Sequence, residues 1–250
     1  MKKDLKELGS KTAKSGFKNE ESIANKFNLW KKDHGAQHWL KVMGYKLKDI
    51  EKVKAKILHG YKTDVQVQIT IYFKDLISAE NLSIKLVSNP KGFNQIDKRW
   101  VESYRELWEI PNDIAQSLKF FTGELKSKNI NLKDSRRMFI NEFGRNTQNK
   151  IIDFFEKKKV LIVSDLLKGR GQFSAGWMLV VIKNNTKGKQ WILKSINHVI
   201  NHYSEGDITI SPRGSLMIGR ITMQRKGGDS GRPSANMLQF KINPAELFYV

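Results

Sequence analysis

The chain has 250 residues, 39% of them apolar and 10% aromatic, which excludes a disordered polymer and is enough to bury a sizeable core. Its 45 Lys and Arg against 25 Asp and Glu give a formal charge of +20, which points to a polyanionic partner, nucleic acid first. The absence of cysteine excludes a disulfide scaffold, thiolate zinc sites and cysteine nucleophiles.

Residues 17–32 place Ile23, Phe27 and Trp30 at helical spacing, with Glu20 and Glu21 in the expected first turn, where their charge favours the positive end of the helix dipole. Two short helices are expected over 36–44 and 46–57, broken at Gly44 and ended before His59 and Gly60. The period then changes to two. Val65, Val67, Ile69, Ile71 and Phe73 alternate with Gln66, Gln68, Thr70 and Tyr72. Leu82, Ile84 and Leu86 alternate with Ser83 and Lys85, so the two segments read as an antiparallel hairpin. A helical middle is expected from about 97 to 157, and its Trp100, Tyr104, Trp108, Leu118, Phe121 and Phe154 belong to packing. Strand candidates follow at 160–167, 177–183, 191–196 and 207–211, with a helix within 194–203 and short strands between Gly, Arg and Lys beyond. No internal repeat or low-complexity linker interrupts the pattern. The expectation is one α/β (α+β) domain over 1–250, a mixed β-sheet core flanked by helices.

The chemistry concentrates in the hairpin. Asp64 shares strand parity with Gln66 and Gln68, and Ser83 with Lys85, each opposite to the apolar positions. For the apolar faces to coincide, opposed residues must have numbers that sum to an odd value. A turn centred on Lys74 and Asp75 sets Gln66 across from Ser83 and Asp64 across from Lys85; a longer loop carries Asp64 past Lys85. Phosphodiester hydrolysis uses such a set: a carboxylate to hold Mg²⁺, and a Lys to orient the attacking water and offset charge on the phosphate. The plainer reading makes Asp64 a turn residue and Lys85 a solvated edge charge, and on pattern alone it has the better claim. His34 with His38, and His198 with His202, are four apart, but Gly35 and the missing acid between them favour ordinary histidines over metal ligands.

Resemblance shifts that weighting. LGSKTAKSGFKNEESIA (8–24), GYKTDVQVQ (60–68), IKLVSNPKGFNQIDKRW (84–100), SPRGS (211–215) and ITMQRKGGDSGRPSANMLQFKINPAELF (221–248) resemble the HinP-type restriction endonucleases, which read GCGC and belong to the PD-(D/E)xK nuclease class. The hairpin and the QFK ending also resemble the MspI-type enzymes, which read CCGG. The resemblance implies a type II restriction endonuclease with a catalytic hairpin at about 60–90 and a DNA-contacting region at about 205–250. It would make Mg²⁺-dependent double-strand cuts at a short palindromic G/C site. Carried over by match, Asp64 is the metal-binding acid, Lys85 the catalytic lysine, and Thr63 stands at a Ser position beside the acid. One position departs: where the class has Glu or Asp and these relatives Gln or Asn, this chain has Ser83. The metal is then expected on Asp64, the Ile84 carbonyl and Ser83. Glu20 and Glu21 serve the helix start in the plainer reading; the resemblance gives the alternative of a further carboxylate near that site.

Base reading is expected from Asn94, Gln95, Asp97 and Lys98, whose amide, acid and ammonium groups suit G and C edges. A second set is Ser211, Arg213, Arg225, Lys226, Asn236 and Gln239, with Lys241 beside it. The plainer readings are a polar helical turn capped by Asn94 or Asp97, and glycine-rich surface loops. The implied partner is double-stranded DNA, with a cognate DNA methyltransferase in the same system but no stable complex, and a monomer or weak homodimer as the working form. No apolar run reaches the ~18 residues of a membrane helix, and the basic residues form no amphipathic or terminal cluster, so no membrane partner is expected. The N-terminus lacks the apolar stretch of an export signal, and the bacterial cytoplasm is the expected compartment. A non-catalytic basic nucleic-acid-binding protein and a nonspecific DNA repair nuclease are the other readings.

Overall fold

The computed structural model describes residues 5–58, 66–128, 131–184, 188–228 and 232–250. In chain order the elements are α1 (Leu5–Asn28), α2 (His34–Val42), β1 (Lys52–Leu58), β2 (Gln66–Tyr72), β3 (Ile77–Val87), β4 (Asn94–Arg99), α3 (Val101–Trp108) and α4 (Asn112–Thr122). There follow α5 (Arg145–Leu167), β5 (Trp177–Asn184), β6 (Gly188–Ser195), α6 (Ile196–Ser204), β7 (Ile208–Ile210), β8 (Leu216–Ile218), β9 (Ile221–Arg225) and β10 (Leu238–Ile242). The chain divides into two compact units, Met1–Asn94 with Leu167–Ile200 and Asn243–Val250, and Gln95–Leu166 with Asn201–Ile242. No described helix is long and apolar enough to cross a membrane.

The first unit is built on a mixed sheet in the order β1-β2-β3-β5-β6, antiparallel except for the β3–β5 pair. One face carries Val53, Ala55, Ile69, Ile71, Leu82, Ile84, Leu179 and Leu193, packed with Ile23 and Phe27 of α1 and Trp39 and Leu40 of α2. Asp33 starts α2 by accepting from Ala36 N at 2.9 Å, the side-chain cap that leaves one fewer orphan donor. A 3-10 turn over Pro244–Tyr249 packs on β3, β5 and β6.

Two expectations change here. Residues 46–57 are not a helix but a 3-10 turn at Leu47–Asp49 followed by β1. Val53 and Ala55 are buried while Lys52, Lys54 and Lys56 are exposed, a two-residue period on an edge strand, where lysines also discourage pairing with another chain. Helix α1 begins at Leu5, so Glu20 and Glu21 lie in its middle and not in a first turn; Glu20 is buried. The β2–β3 hairpin holds as read: Gln66 pairs with Ser83, Val67 with Leu82 and Gln68 with Asn81.

The second unit has an antiparallel run β10-β9-β8-β7 with β4 beside β10. Its core stacks Tyr104 on Trp108 at 4.6 Å between ring centroids, both meeting Phe240 edge-on. Trp108 Nε1 donates to Asp165 Oδ2 at 2.9 Å, which satisfies both buried polar groups. Residues 94–99, which overlap the start of the helical middle expected from about 97, form a strand, and 160–167 are the end of α5 instead of a strand. In that segment Ile162, Val163, Leu166 and Leu167 are buried while Val160 is 74% exposed. The burial follows the helical period and overrides the strand preference of its β-branched residues.

Candidate functional site

Ser83 and Lys85 stand on the β3 face opposite to the Leu82 and Ile84 core, and both are buried, at 1% and 6% exposure. Their cross-strand partners on β5 are Met178 and Val180, both fully buried. The stem of Lys85 therefore lies beside apolar neighbours on β5, and a charge in such buried surroundings is little screened. Asn81 shares this parity; it accepts from Gln68 Nε2 at 3.3 Å and donates to the carbonyls of Gln172 and Ser174, both at 3.2 Å. The acid of β3, Glu80, has the other parity and is occupied by Tyr45 Oη at 2.5 Å and Trp177 Nε1 at 2.9 Å. It cannot replace the acid that Ser83 lacks.

Thr63 and Asp64 lie outside the described residues. Among the described residues no group of three or more His, Cys, Asp or Glu gathers as a metal site. His38 packs on Trp191 at 5.1 Å and His202, buried, on Tyr203 at 4.9 Å, as packing histidines do. The Ser83 face offers neutral oxygens from a hydroxyl and amides. Such donors suit a hard cation, but a carboxylate must join them to offset its charge.

The expected base-reading residues fall into two kinds. Asp97 is buried, accepting from Tyr104 Oη at 2.8 Å and Arg99 Nε at 3.2 Å. Asn94 Nδ2 donates to Leu86 O at 3.0 Å, a tie between the end of β3 and the start of β4. Arg225 donates to Thr122 O at 2.8 Å and to Asn236 Oδ1 at 2.7 Å, and Asn236 Nδ2 to Gly123 O at 3.0 Å. Ser211 Oγ accepts from Ser215 N at 3.1 Å, closing its turn, and Lys226 N donates to Met237 O. The side chains of Asn94, Ser211, Arg225 and Asn236 are thus engaged in holding the frame, and that of Asp97 in holding Tyr104 and Arg99. Lys98 and Arg213, by contrast, are exposed. Gln95 accepts from Gln239 Nε2 at 2.5 Å, and Gln239 Oε1 accepts from Gln224 Nε2 at 3.4 Å. The resulting amide row includes Gln224, which its parity with Thr222 on β9 marks as facing away from buried Ile221 and Met223. Lys241 is half-buried, and the lost hydration lowers its ammonium pKa below the ordinary range.

The R.HinP1I restriction endonuclease family model matches residues 43–248, a span that contains the β2–β3 hairpin, β4 and β7 to β10. Comparison with curated proteins gives no match. Among solved structures, the restriction endonuclease MspI in complex with its cognate DNA aligns with a TM-score of 0.61, covering 89% of this chain and 87% of that chain at 15% identity. At that identity the likeness is one of fold.

Proposed function

Since the chain belongs to the R.HinP1I restriction endonuclease family, a type II site-specific deoxyribonuclease family, we propose that it makes Mg²⁺-dependent double-strand cuts at GCGC, with Asp64, Ser83 and Lys85 at the cleavage centre. The observation that supports this reading is the register of the hairpin, in which Gln66 pairs with Ser83. Asp64 precedes Gln66 by two residues and Lys85 follows Ser83 by two.

A divalent ion, when bound, supplies Lewis-acid polarisation of the scissile phosphate. Asp64, the Ser83 hydroxyl and the Ile84 carbonyl would hold it, and Thr63 stands beside the acid to orient it. Lys85 donates from its ammonium to a non-bridging phosphate oxygen and to the attacking water, holding both in line and offsetting the charge that develops. Its burial keeps that charge from being screened by solvent. Lys98, Arg213, Lys226 and Gln95 face the DNA, with the buried Gln239 amide held against Gln95; Asn94, Ser211, Arg225 and Asn236 hold the frame that presents them, and Asp97 holds Tyr104 and Arg99. Residues 1–250 act as one domain whose chain interleaves two units, working as a monomer or weak homodimer in the bacterial cytoplasm beside a cognate DNA methyltransferase.

Plasmid incubated with Mg²⁺ tests the reading. Discrete fragments with ends inside GCGC are expected. A smear would make the protein a nonspecific nuclease, and retention without cutting a binder; either result overturns the proposal.

A further inference from the structure

The segment between α4 and α5 carries basic residues that the cleavage reading leaves unused. Lys133, Arg137 and Phe139 line a cavity of about 490 Å³ with Arg213, Gln224 and Arg225, all within the second unit. Four of these six side chains are cationic. The acid beside them, Asp134, is held by Arg136 through two bonds of 2.8 and 2.9 Å. Asp134 Oδ2 also forms an ion pair with Arg137 Nε at 3.6 Å, longer than a hydrogen bond. Arg137 Nε and Nη1 are buried without a hydrogen-bond partner. That is a costly state for a guanidinium, and an oxyanion would relieve it. Burial first, then the charges of Arg225 and Arg136, pull Arg137 below its usual pKa range, against the opposing pull of Asp134.

The cavity is also built to hold its shape. The Arg137 guanidinium lies over the Phe139 ring at 4.1 Å and near the Phe121 ring at 5.6 Å, which fixes its plane. The turn that presents Arg213 is locked to the same segment by Ile140 N donating to Gly214 O at 2.9 Å. Gly214 has φ 76°, and a Cβ there would lie 2.5 Å from Phe139 Cβ, so only glycine lets the two segments meet so closely.

We propose that Lys133, Arg137 and Arg213 form a phosphate-binding pocket that grips the DNA backbone without regard to sequence. The inference rests on the DNA-cutting reading. Two guanidinium groups and an ammonium around one cavity match a phosphodiester oxyanion, and such contacts set register without reading bases. A free phosphate offers the same chemistry, and the experiment separates the two sources.

Binding of the full-length protein to a fluorescent duplex lacking GCGC is measured by anisotropy across a NaCl series, without divalent metal. Removing one side chain that neutralises a phosphate should flatten the slope of log K against log salt by roughly 0.9. Lys133→Gln, at an exposed position, and Arg137→Gln are each expected to flatten it by about that amount. If both variants fold and keep the wild-type slope, the pocket does not hold the backbone. If Arg137→Gln melts below the assay temperature, Lys133→Gln decides. Stabilisation of the wild type, but not the variants, by inorganic phosphate, with unchanged slopes, would assign the pocket to free phosphate and overturn the backbone role. A wild type that neither binds nor cuts any duplex would sink the nuclease reading as well; one that cuts GCGC while the variants keep its slope would sink this inference alone.

Discussion

Replacing Asp97 by alanine removes the acceptor of a Tyr104 hydroxyl that is fully buried. A hydrogen bond to a charged group contributes about 1.5–3 kcal/mol, and an abandoned buried hydroxyl costs about 1–3 kcal/mol. These overlap in one measurement. The second partner, Arg99, keeps 28% side-chain exposure at 3.2 Å, so water can replace Asp97 there and little is lost. Asp97→Ala should therefore lower stability by about 2–3 kcal/mol, read as a melting point lower by about 4–12 °C in a chain of this size. Asp97→Asn keeps an acceptor and should lose about 1 kcal/mol. Adding Tyr104→Phe to Asp97→Ala removes the orphan hydroxyl and should recover part of the loss, a coupling that urea denaturation of the four proteins measures. Unchanged stability in Asp97→Ala, together with relaxed cutting at sites other than GCGC, would refute the argument and return Asp97 to base reading.

Lys85→Met keeps the buried stem and removes the charge; since one preorganised electrostatic group is typically worth about 10²–10³ in rate, single-turnover cutting should fall at least that far in a protein that still folds. Ser83→Glu should lower the Mg²⁺ concentration needed for half-maximal cutting, and Ser83→Ala should leave it nearly unchanged; an inactive, folded Ser83→Ala would make the hydroxyl itself necessary. Tyr45 is pushed up to about 12 by burial and by its hydrogen bond to Glu80. Its raised value means the folded state keeps a proton that the unfolded state gives up, so this contribution is full below pH 10 and lost as pH rises toward about 12. Alkaline unfolding curves should therefore be steeper in that window for the wild type than for Tyr45→Phe.

The hairpin was legible because two rules converge on it: strict alternation sets the faces, and the Lys74–Asp75 turn sets a register in which Gln66 meets Ser83. Strand β1 was hidden by its lysines, since a half-exposed edge strand of Lys, Val, Ala and Ile carries too little apolar contrast to separate from a short helix. The run at 160–167 misled because local β preference speaks louder than a helix whose packing partners lie elsewhere in the chain. Among the site residues, Ser83 and Lys85 could be placed on one face, but their burial depends on β5, about a hundred residues away along the chain and paired in parallel. Asp97 looked free to meet a base because nothing local announces Tyr104 as its donor. The Arg137 cavity was invisible for the same reason: its walls come from an irregular segment and a distant turn that meet through Gly214.

The row of Gln224, Gln239 and Gln95 has one more property. Gln224 gives a hydrogen to Gln239, and Gln239 gives one to Gln95. An amide that donates along the row turns its oxygen back toward the previous member, so the three must point the same way. The row thus behaves like a compass needle with two settings, an N–H left over at the Gln95 end and an oxygen at the Gln224 end, or the reverse. A base edge met at one end constrains what the far end can present. Replacing Gln239 by leucine would cut the needle in two, leaving Gln95 and Gln224 to turn independently and allowing combinations at the two ends that the intact row forbids.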